Sequence, residues 1–277
     1  MEPGTKRIWI LNRILDKNLL ATLKSRLEAA NEMYIDLGID WNHYVASVSR
    51  TDRITTLIGI NQARNEGFKH GAQIADFVFI LDGDCFFDES TWNIAASAIT
   101  RDQIDHTDRK YYALPLARVF LEDGPIFDIN DVELEEPILT MRKDAEILFD
   151  ESAVFGKDDK ALLLLKLGLR NQHNHWYALN SEGPCLVVGR ILHLCTSTRQ
   201  IELDNWSRHI LRRESLNLIL ARSDEIAARH TFTSSVTRAI WFKACCLLLS
   251  MIETTSFAAQ RLWFEVKFAL RKLWLGT

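Results

Sequence analysis

The stretch Phe77–Leu81, FVFIL, is apolar at every position and stops at Asp82-Gly83-Asp84. A short apolar run bounded by a turn signal reads as a buried strand. Asp-Gly is an ordinary turn pair, so the strand ends there and its next residues emerge at the carboxyl edge of a sheet. In open α/β sheets that edge is where ligands bind. Two carboxylates at such a place repel each other unless a cation lies between them. Hard divalent ions such as Mn²⁺ or Mg²⁺ prefer oxygen ligands and keep part of their hydration. Asp82 and Asp84 are therefore candidate metal ligands, and the plain alternative is a polar turn that caps a strand.

The flanking segments extend this to a fold class. RIWILNRI is a short β-prone run, and DKNLLATLKSRLEAANEMY follows with Leu19, Leu20, Leu23 and Leu27 on one helical face. YIDLGIDWNHYVASVS reads as irregular with a short strand. TDRITTLIGINQARNEGFKHG reads as helix, with Asp52 in the N-cap region and Gly71 as its stop. Strand, helix and strand in alternation predict an α/β protein with a mixed, mostly parallel Rossmann-like sheet flanked by helices. YYALPLARVFL, part of the acidic stretch to Pro137, and GPCLVVGRILHL are further strand candidates, and FGKDDKALLLLKLG is a turn followed by an apolar helix. No glycine occurs between Gly189 and Gly276 and no proline after Pro184. Without these helix breakers the C-terminal region is expected to be helical. The expected organisation is a catalytic domain over 1–230 and a helical extension over 231–277.

Composition narrows the function classes. A formal net charge of −4 argues against a dedicated nucleic-acid binder, which carries a basic excess. The five cysteines, Cys85, Cys185, Cys195, Cys245 and Cys246, contain no CxxC pair, which argues against a disulfide framework or structural zinc and for a reducing compartment. The apolar run in MEPGTKRIWILNRILDKN is too short for a signal peptide, so a first strand and a cytoplasmic location are expected.

The helix before FVFIL carries a denser pattern. NQARNEGFKHG…ADFVFILDGDCFF resembles the N-x-A-R-N-x-G, apolar strand, D-x-D stretch of family-2-like, GT-A fold, nucleotide-sugar-dependent glycosyltransferases, with Asn61, Ala63, Arg64, Asn65 and Gly67 at the matching positions. The resemblance runs from about Arg7 to Leu194 and is densest from Asn61 to Phe87. It implies a GT-A fold and a donor site in which Asn61, Arg64 and Asn65 lie near the nucleotide or hold the aspartate loop. It implies a metal site of Asp84 and Asp82 completed by His193 of VGRILHL. Lys157-Asp158-Asp159 stands where the family has an acidic motif at a helix start, which implies Asp159, then Asp158, as the base that takes the acceptor's proton. The family's Pro-Thr/Ser-Tyr-Asn-like turn after the first strand is replaced by IWILNRILDKN, so Asn12 and Arg13 occupy the nucleotide region, and Asp40 stands where relatives use an acid on the uracil.

The activity implied is sugar transfer from a nucleoside diphosphate, UDP-linked, to a glycan, lipid-linked or small-molecule acceptor, with Mn²⁺ or Mg²⁺ as cofactor and a place in polysaccharide biosynthesis. Arg142 and Lys143 are candidate phosphate contacts, and Trp176 and Tyr177, beside His173 and His175, a candidate acceptor wall. A non-catalytic sugar- or nucleotide-binding scaffold on the same fold is the alternative. A phosphotransferase using the D-x-D acids fits less well, because Cys85 follows the acids and the motif does not open the chain. In the tail, TRAIWFKACCLLLSMI is too short to span a bilayer. AAQRLWFEVKFALRKLWLG is amphipathic and basic, which suits packing on the protein, a homo-oligomer contact, or a membrane interface at the inner face.

Overall fold

The computed structural model describes residues 5–120, 134–153, 160–169, 184–195 and 205–231. It is a mixed α/β protein. In chain order its elements are β1 (Ile8–Asn12), α1 (Lys17–Ala29), β2 (Met33–Leu37), α2 (Trp41–Ala46), α3 (Arg50–Ile58), α4 (Ile60–Gly71), β3 (Phe77–Phe79), β4 (Cys85–Phe86), α5 (Glu89–Asp105), β5 (Tyr111–Phe120), β6 (Leu134–Arg142), α6 (Ala161–Lys166), β7 (Cys185–Val187), β8 (Ile191–Cys195) and α7 (Asn205–Thr231). The chain divides into two compact units, Met1–Ile39 with Leu57–Arg213, and Asp40–Thr56 with Glu214–Thr277. The expected 231–277 extension lies, beyond Thr231, outside the described residues.

In the first unit β1 and β2 form a parallel pair, Ile8 opposite Met33 and Asn12 opposite Leu37. The crossover between them is α1, whose start is capped by the Asp16 carboxylate on the amides of Asn18 and Leu19. Its leucine face is only partly covered: no residue of α1 is buried and Leu19 is exposed.

The larger sheet has six strands in the order β3-β6-β5-β8-β4, with β7 also on β5. It is mixed, but less parallel than the alternation of elements suggests. Only β5 has parallel partners there, β7 and β8, while β3–β6, β5–β6 and β4–β8 run antiparallel. Apolar strand patterns read alike in either direction, so they carry no information on the sense of pairing. The β5–β6 register shifts between Leu114 and Leu116, where Pro115 faces a segment containing Pro137. Proline lacks an amide for the ladder, and an irregularity accommodates it.

Alternate residues of β5 and β6 point to two cores. Tyr111, Ala113, Leu139 and Met141 pack with Phe68 of α4 and with Leu163, Leu164 and Leu167 around α6. Tyr112, Leu114 and Ile138 pack with Ala95 and Ile99 of α5. The apolar run FVFIL lies between these layers but at the sheet edge. Phe77, Val78 and Phe79 are half-buried, Ile80 is buried and Leu81 is 41% exposed. Both faces of β3 are covered, by Gly71 of α4 against Val78 and by Trp92 of α5 against Phe79. Its flank has one partner among the described residues, β6. A wholly apolar run therefore reports covered faces and not a central position.

In the second unit α2 and α3 meet α7 through a buried polar cluster. The Tyr44 hydroxyl donates to Asp224 Oδ1 at 2.6 Å, and Arg53 donates to the Tyr44 oxygen at 2.9 Å and ion-pairs with Asp224. Among the described residues no helix is long and apolar enough to cross a membrane.

Candidate functional site

Helix α4 starts after Gly59, whose left-handed backbone (φ 42°, ψ 40°) separates it from α3. Asn61, Arg64 and Asn65 follow at helical spacing, so they share one face. All three are buried. Burial obliges their polar atoms to find partners, and the partners come from two segments. The first is Phe149–Glu151. Asn61 Nδ2 donates to the Asp150 carbonyl at 2.7 Å. Asn65 pairs with the Phe149 backbone in both directions, donating to its carbonyl at 2.9 Å and accepting from its amide at 3.1 Å, and also donates to Glu151 Oε1 at 2.9 Å. The second is the D-x-D turn. One nitrogen of Arg64 reaches Asp82 Oδ1 at 3.0 Å and Oδ2 at 3.1 Å, while its other nitrogen donates to Asn61 Oδ1 at 3.1 Å.

Asp82 has a second cation. Lys160 Nζ, at the start of α6, lies 3.1 Å from Asp82 Oδ2. Burial alone raises the Asp82 carboxyl, but Lys160 and then Arg64 outweigh it and hold the group below its ordinary value. Asp82 is thus a carboxylate fixed by two cations from different helical segments.

Asp84 faces a different neighbour. β4 and β8 pair with Cys85 opposite His193, and the Leu194 amide donates to the Asp84 carbonyl at 2.8 Å. This pairing brings His193 Nε2 to 3.1 Å from Asp84 Oδ2. Asp84 is exposed and the His193 ring is largely covered. Between them, the Cys85 thiol is pushed up to about 12 by burial and by the charges of Asp84 and Asp82, which leaves it an un-ionised neighbour.

The remaining sequence candidates fall as follows. Asn12 and Arg13 sit at the carboxyl end of β1. Asn12 Nδ2 donates to the Ile58 carbonyl at 2.6 Å, and Arg13 donates to Asn12 Oδ1 at 2.7 Å, to the Gly59 carbonyl at 3.2 Å and to Gln62. Both side chains hold the α3–α4 junction. Asp40 caps α2 by accepting from the His43 amide at 2.9 Å and belongs to the other unit. Asp158 and Asp159, like His173, His175, Trp176 and Tyr177, lie outside the described residues. Arg142 and Lys143 do not join the site. β6 is antiparallel to β3, so Arg142 lies opposite Phe77, at the end of β3 away from the turn. There Arg142 pairs with Asp144, and Lys143 reaches Asp76 at 2.8 Å.

Two pieces escaped the sequence reading: Lys160 and the Phe149–Glu151 segment. Lys160 had a signal. A lysine at the start of a helix opposes the helix dipole, which asks for an acidic partner. The Phe149–Glu151 segment had none, since it takes part mainly through backbone atoms, which any residue carries.

Among the described residues no three His, Cys, Asp or Glu side chains gather closely enough to hold a metal ion. Of the three residues expected at the metal, Asp84 and His193 meet at 3.1 Å, while Asp82 pairs with Arg64 and Lys160. A carboxylate suits Mn²⁺ or Mg²⁺, and Mg²⁺ is commonly held by one or two carboxylates plus substrate phosphates; an imidazole beside it is a common metal ligand in general. Compared with protein-family models, with curated proteins and with solved structures, the chain matches none.

Proposed function

We propose that this chain is a metal-dependent glycosyltransferase on a GT-A-like fold, moving a sugar from a nucleoside-diphosphate donor, UDP-linked, to an acceptor hydroxyl. The observation that carries the reading is the division of labour at the D-x-D turn. Asp84 meets His193 at 3.1 Å, while Asp82 is tied down by Arg64 of the N-x-A-R-N helix. The turn follows a strand at a sheet edge, and its second acid is exposed.

Asp84 and neutral His193 would hold Mn²⁺ or Mg²⁺. When bound, such an ion offsets the negative charge that grows on a departing diphosphate. The chain's own part is orientation. Arg64 and Lys160 keep Asp82 ionised, so it stays an acceptor for a ribose hydroxyl of the donor. The Asn61 and Asn65 amides fix the backbone of Phe149–Glu151, the segment that leads towards Asp158 and Asp159. A sugar hydroxyl is a poor nucleophile at neutral pH and needs a carboxylate within reach to take its proton. The resemblance gives that role to Asp159, then Asp158, both outside the described residues.

The test is a thermal-shift panel of nucleoside diphosphates with and without Mn²⁺, repeated on Asp84→Ala. UDP with Mn²⁺ should stabilise the wild type by about 2.7 kcal/mol at a hundredfold excess over Kd. That is roughly 5–11 °C for a chain of this size class, at about 2–4 °C per kcal/mol. Mn²⁺ alone should give little, since the protein supplies two ligands, and Asp84→Ala should abolish the joint gain. A gain that ignores the base, or that survives in Asp84→Ala, would remove the proposal. A second reading, a nucleotide-binding module without turnover, is favoured by the missing third ligand among the described residues. It predicts the same thermal gain but no release of sugar from the donor.

A further inference from the structure

Lys160 is 8% exposed, and its ammonium lies 3.1 Å from Asp82 Oδ2. Arg64 alone already contacts both oxygens of that carboxylate, at 3.0 and 3.1 Å. A second buried cation there is not explained by stability. Replacing buried ion pairs with apolar groups of similar volume is often neutral or stabilising, and ordering a lysine stem costs about 2 kcal/mol of rotamer freedom. What Lys160 adds is a tie between the start of α6 and the turn.

The turn needs such a tie. Gly83 is exposed, and a Cβ added to it would meet nothing within 4 Å. The backbone bonds around it are Ile80 to Leu139 before the turn, Cys85 to Asp82 within it and Leu194 to Asp84 after it. Its side chains are anchored at two points, Asp82 on Arg64 and Lys160, and Asp84 on His193. A cation held by Asp84 and His193 would take the place of their mutual hydrogen bond. The Asp82 anchor is then the side-chain tie left on the turn, beside the Leu194-to-Asp84 backbone bond and the β4–β8 pairing.

We propose that Lys160 is a positioning residue for the donor site: it acts through Asp82 to hold the D-x-D turn so that Asp84 stays aligned with His193. The inference rests on the glycosyl-transfer reading and adds to it a residue and a route of action. Groups that orient ligands of this kind typically change metal affinity roughly 10- to 100-fold when removed. Lys160 would not touch the donor, so its effect disappears once Asp82 can no longer be paired.

A double-mutant cycle on the full chain tests this, with the affinity for UDP in the presence of Mn²⁺ measured by calorimetry. The variants are Lys160→Met, Asp82→Asn and the two combined, with Lys160→Arg as the charge-retaining control and melting midpoints for all. The expected result is a roughly tenfold loss in Lys160→Met, a loss at least as large in Asp82→Asn, whose carboxylate also meets the ribose, no loss in the double variant beyond that of Asp82→Asn, and recovery in Lys160→Arg. Losses that multiply in the double variant would mean that Lys160 meets the donor directly and would overturn the route through Asp82. An unchanged affinity in Lys160→Met with only a lowered midpoint would make the pair structural and overturn the inference alone. If Lys160→Met does not fold, the Lys160→Arg comparison decides: an affinity that falls as far as in Asp82→Asn overturns the inference, and one near wild type upholds it. A wild-type chain that takes up neither Mn²⁺ nor UDP would remove the functional reading, and this inference with it.

Discussion

Thr140 lies in β6 between Tyr112 of β5 and Phe79 of β3, is fully buried, and its hydroxyl has no partner among the described residues. A hydroxyl taken from water without a new partner costs about 1–3 kcal/mol. Thr140→Val keeps the branched shape that suits a strand and removes that cost. We expect the variant to gain about 1 kcal/mol, the low end of that range, seen as a higher urea midpoint at unchanged slope. A midpoint at or below wild type would show that the hydroxyl is satisfied. The acids of the site behave differently, because each has a partner. Asp84 and His193 were visible in the sequence as types in a familiar order, and the cross-strand pairing of β4 with β8 brings them together. The commitment of Asp82 to Lys160 was not visible, because a side chain's partner depends on a contact across 78 residues of chain (160 minus 82).

At the scale of elements, the junction of α3 and α4 depends on two residues in left-handed backbone, Gly59 at φ 42° and Arg13 at φ 52°. The Arg13 guanidinium fills the space beside Gly59, so a Cβ added there would lie 1.9 Å from its Nη1. Gly59→Ala should therefore lose the roughly 1–2 kcal/mol that a left-handed non-glycine costs, plus the displacement of Arg13. In an Arg13→Ala background the same change should lose only the backbone part. Equal losses in the two backgrounds, by urea denaturation, would deny the contact. This junction also shows why sequence reading stops where it does. Apolar spacing made TDRITTLIGINQARNEGFKHG helical, and α4 does end at Gly71, but a single glycine inside a helical pattern does not announce a break. Ser49, whose hydroxyl accepts from the Asp52 amide at 3.3 Å, stands at the start of α3, and Asp52 lies in its first turn. GPCLVVGRILHL read as one strand and is two, β7 and β8, with the left-handed Gly189, close to Ala95 of α5, between them. Helix α5, opened by an Asp88–Thr91 capping box, went unread, although its cap is a local signal. Local chemistry was legible where it was sought. Strand direction and edge position were not, since tertiary pairing decides both.

For the whole molecule, the paired groups define a range of pH in which the fold is most stable. Among the described residues three carboxyls titrate below the ordinary 3.8. For Asp82 burial works against this, but Lys160 and then Arg64 prevail. For Asp144 the hydrogen bond from Arg142 is the main cause and takes it to about 2, and for Asp150 it is the Ser152 hydroxyl. A depressed carboxyl stabilises the fold fully above its unfolded value, and that stability is lost as pH falls through the lower folded value. Thiols set the other limit. Burial pushes Cys185 from 9.0 up to about 12, and burial with two neighbouring acids does the same for Cys85. Their contribution is full below pH 9.0 and lost as pH rises towards about 12. The urea midpoint should therefore be level from about pH 4 to about pH 9 and fall on both sides. Cys185→Ala should flatten the alkaline fall. Asp82→Asn should lower the neutral plateau, because Arg64 and Lys160 lose their charged partner, and should flatten the acid fall. A plateau lowered by Asp82→Asn with an acid limb parallel to wild type would mean that Asp82 titrates alike in the folded and unfolded chain. The ion pairs at 3.0 and 3.1 Å would then carry no charge coupling, and the anchor assigned to the D-x-D turn would fail with them.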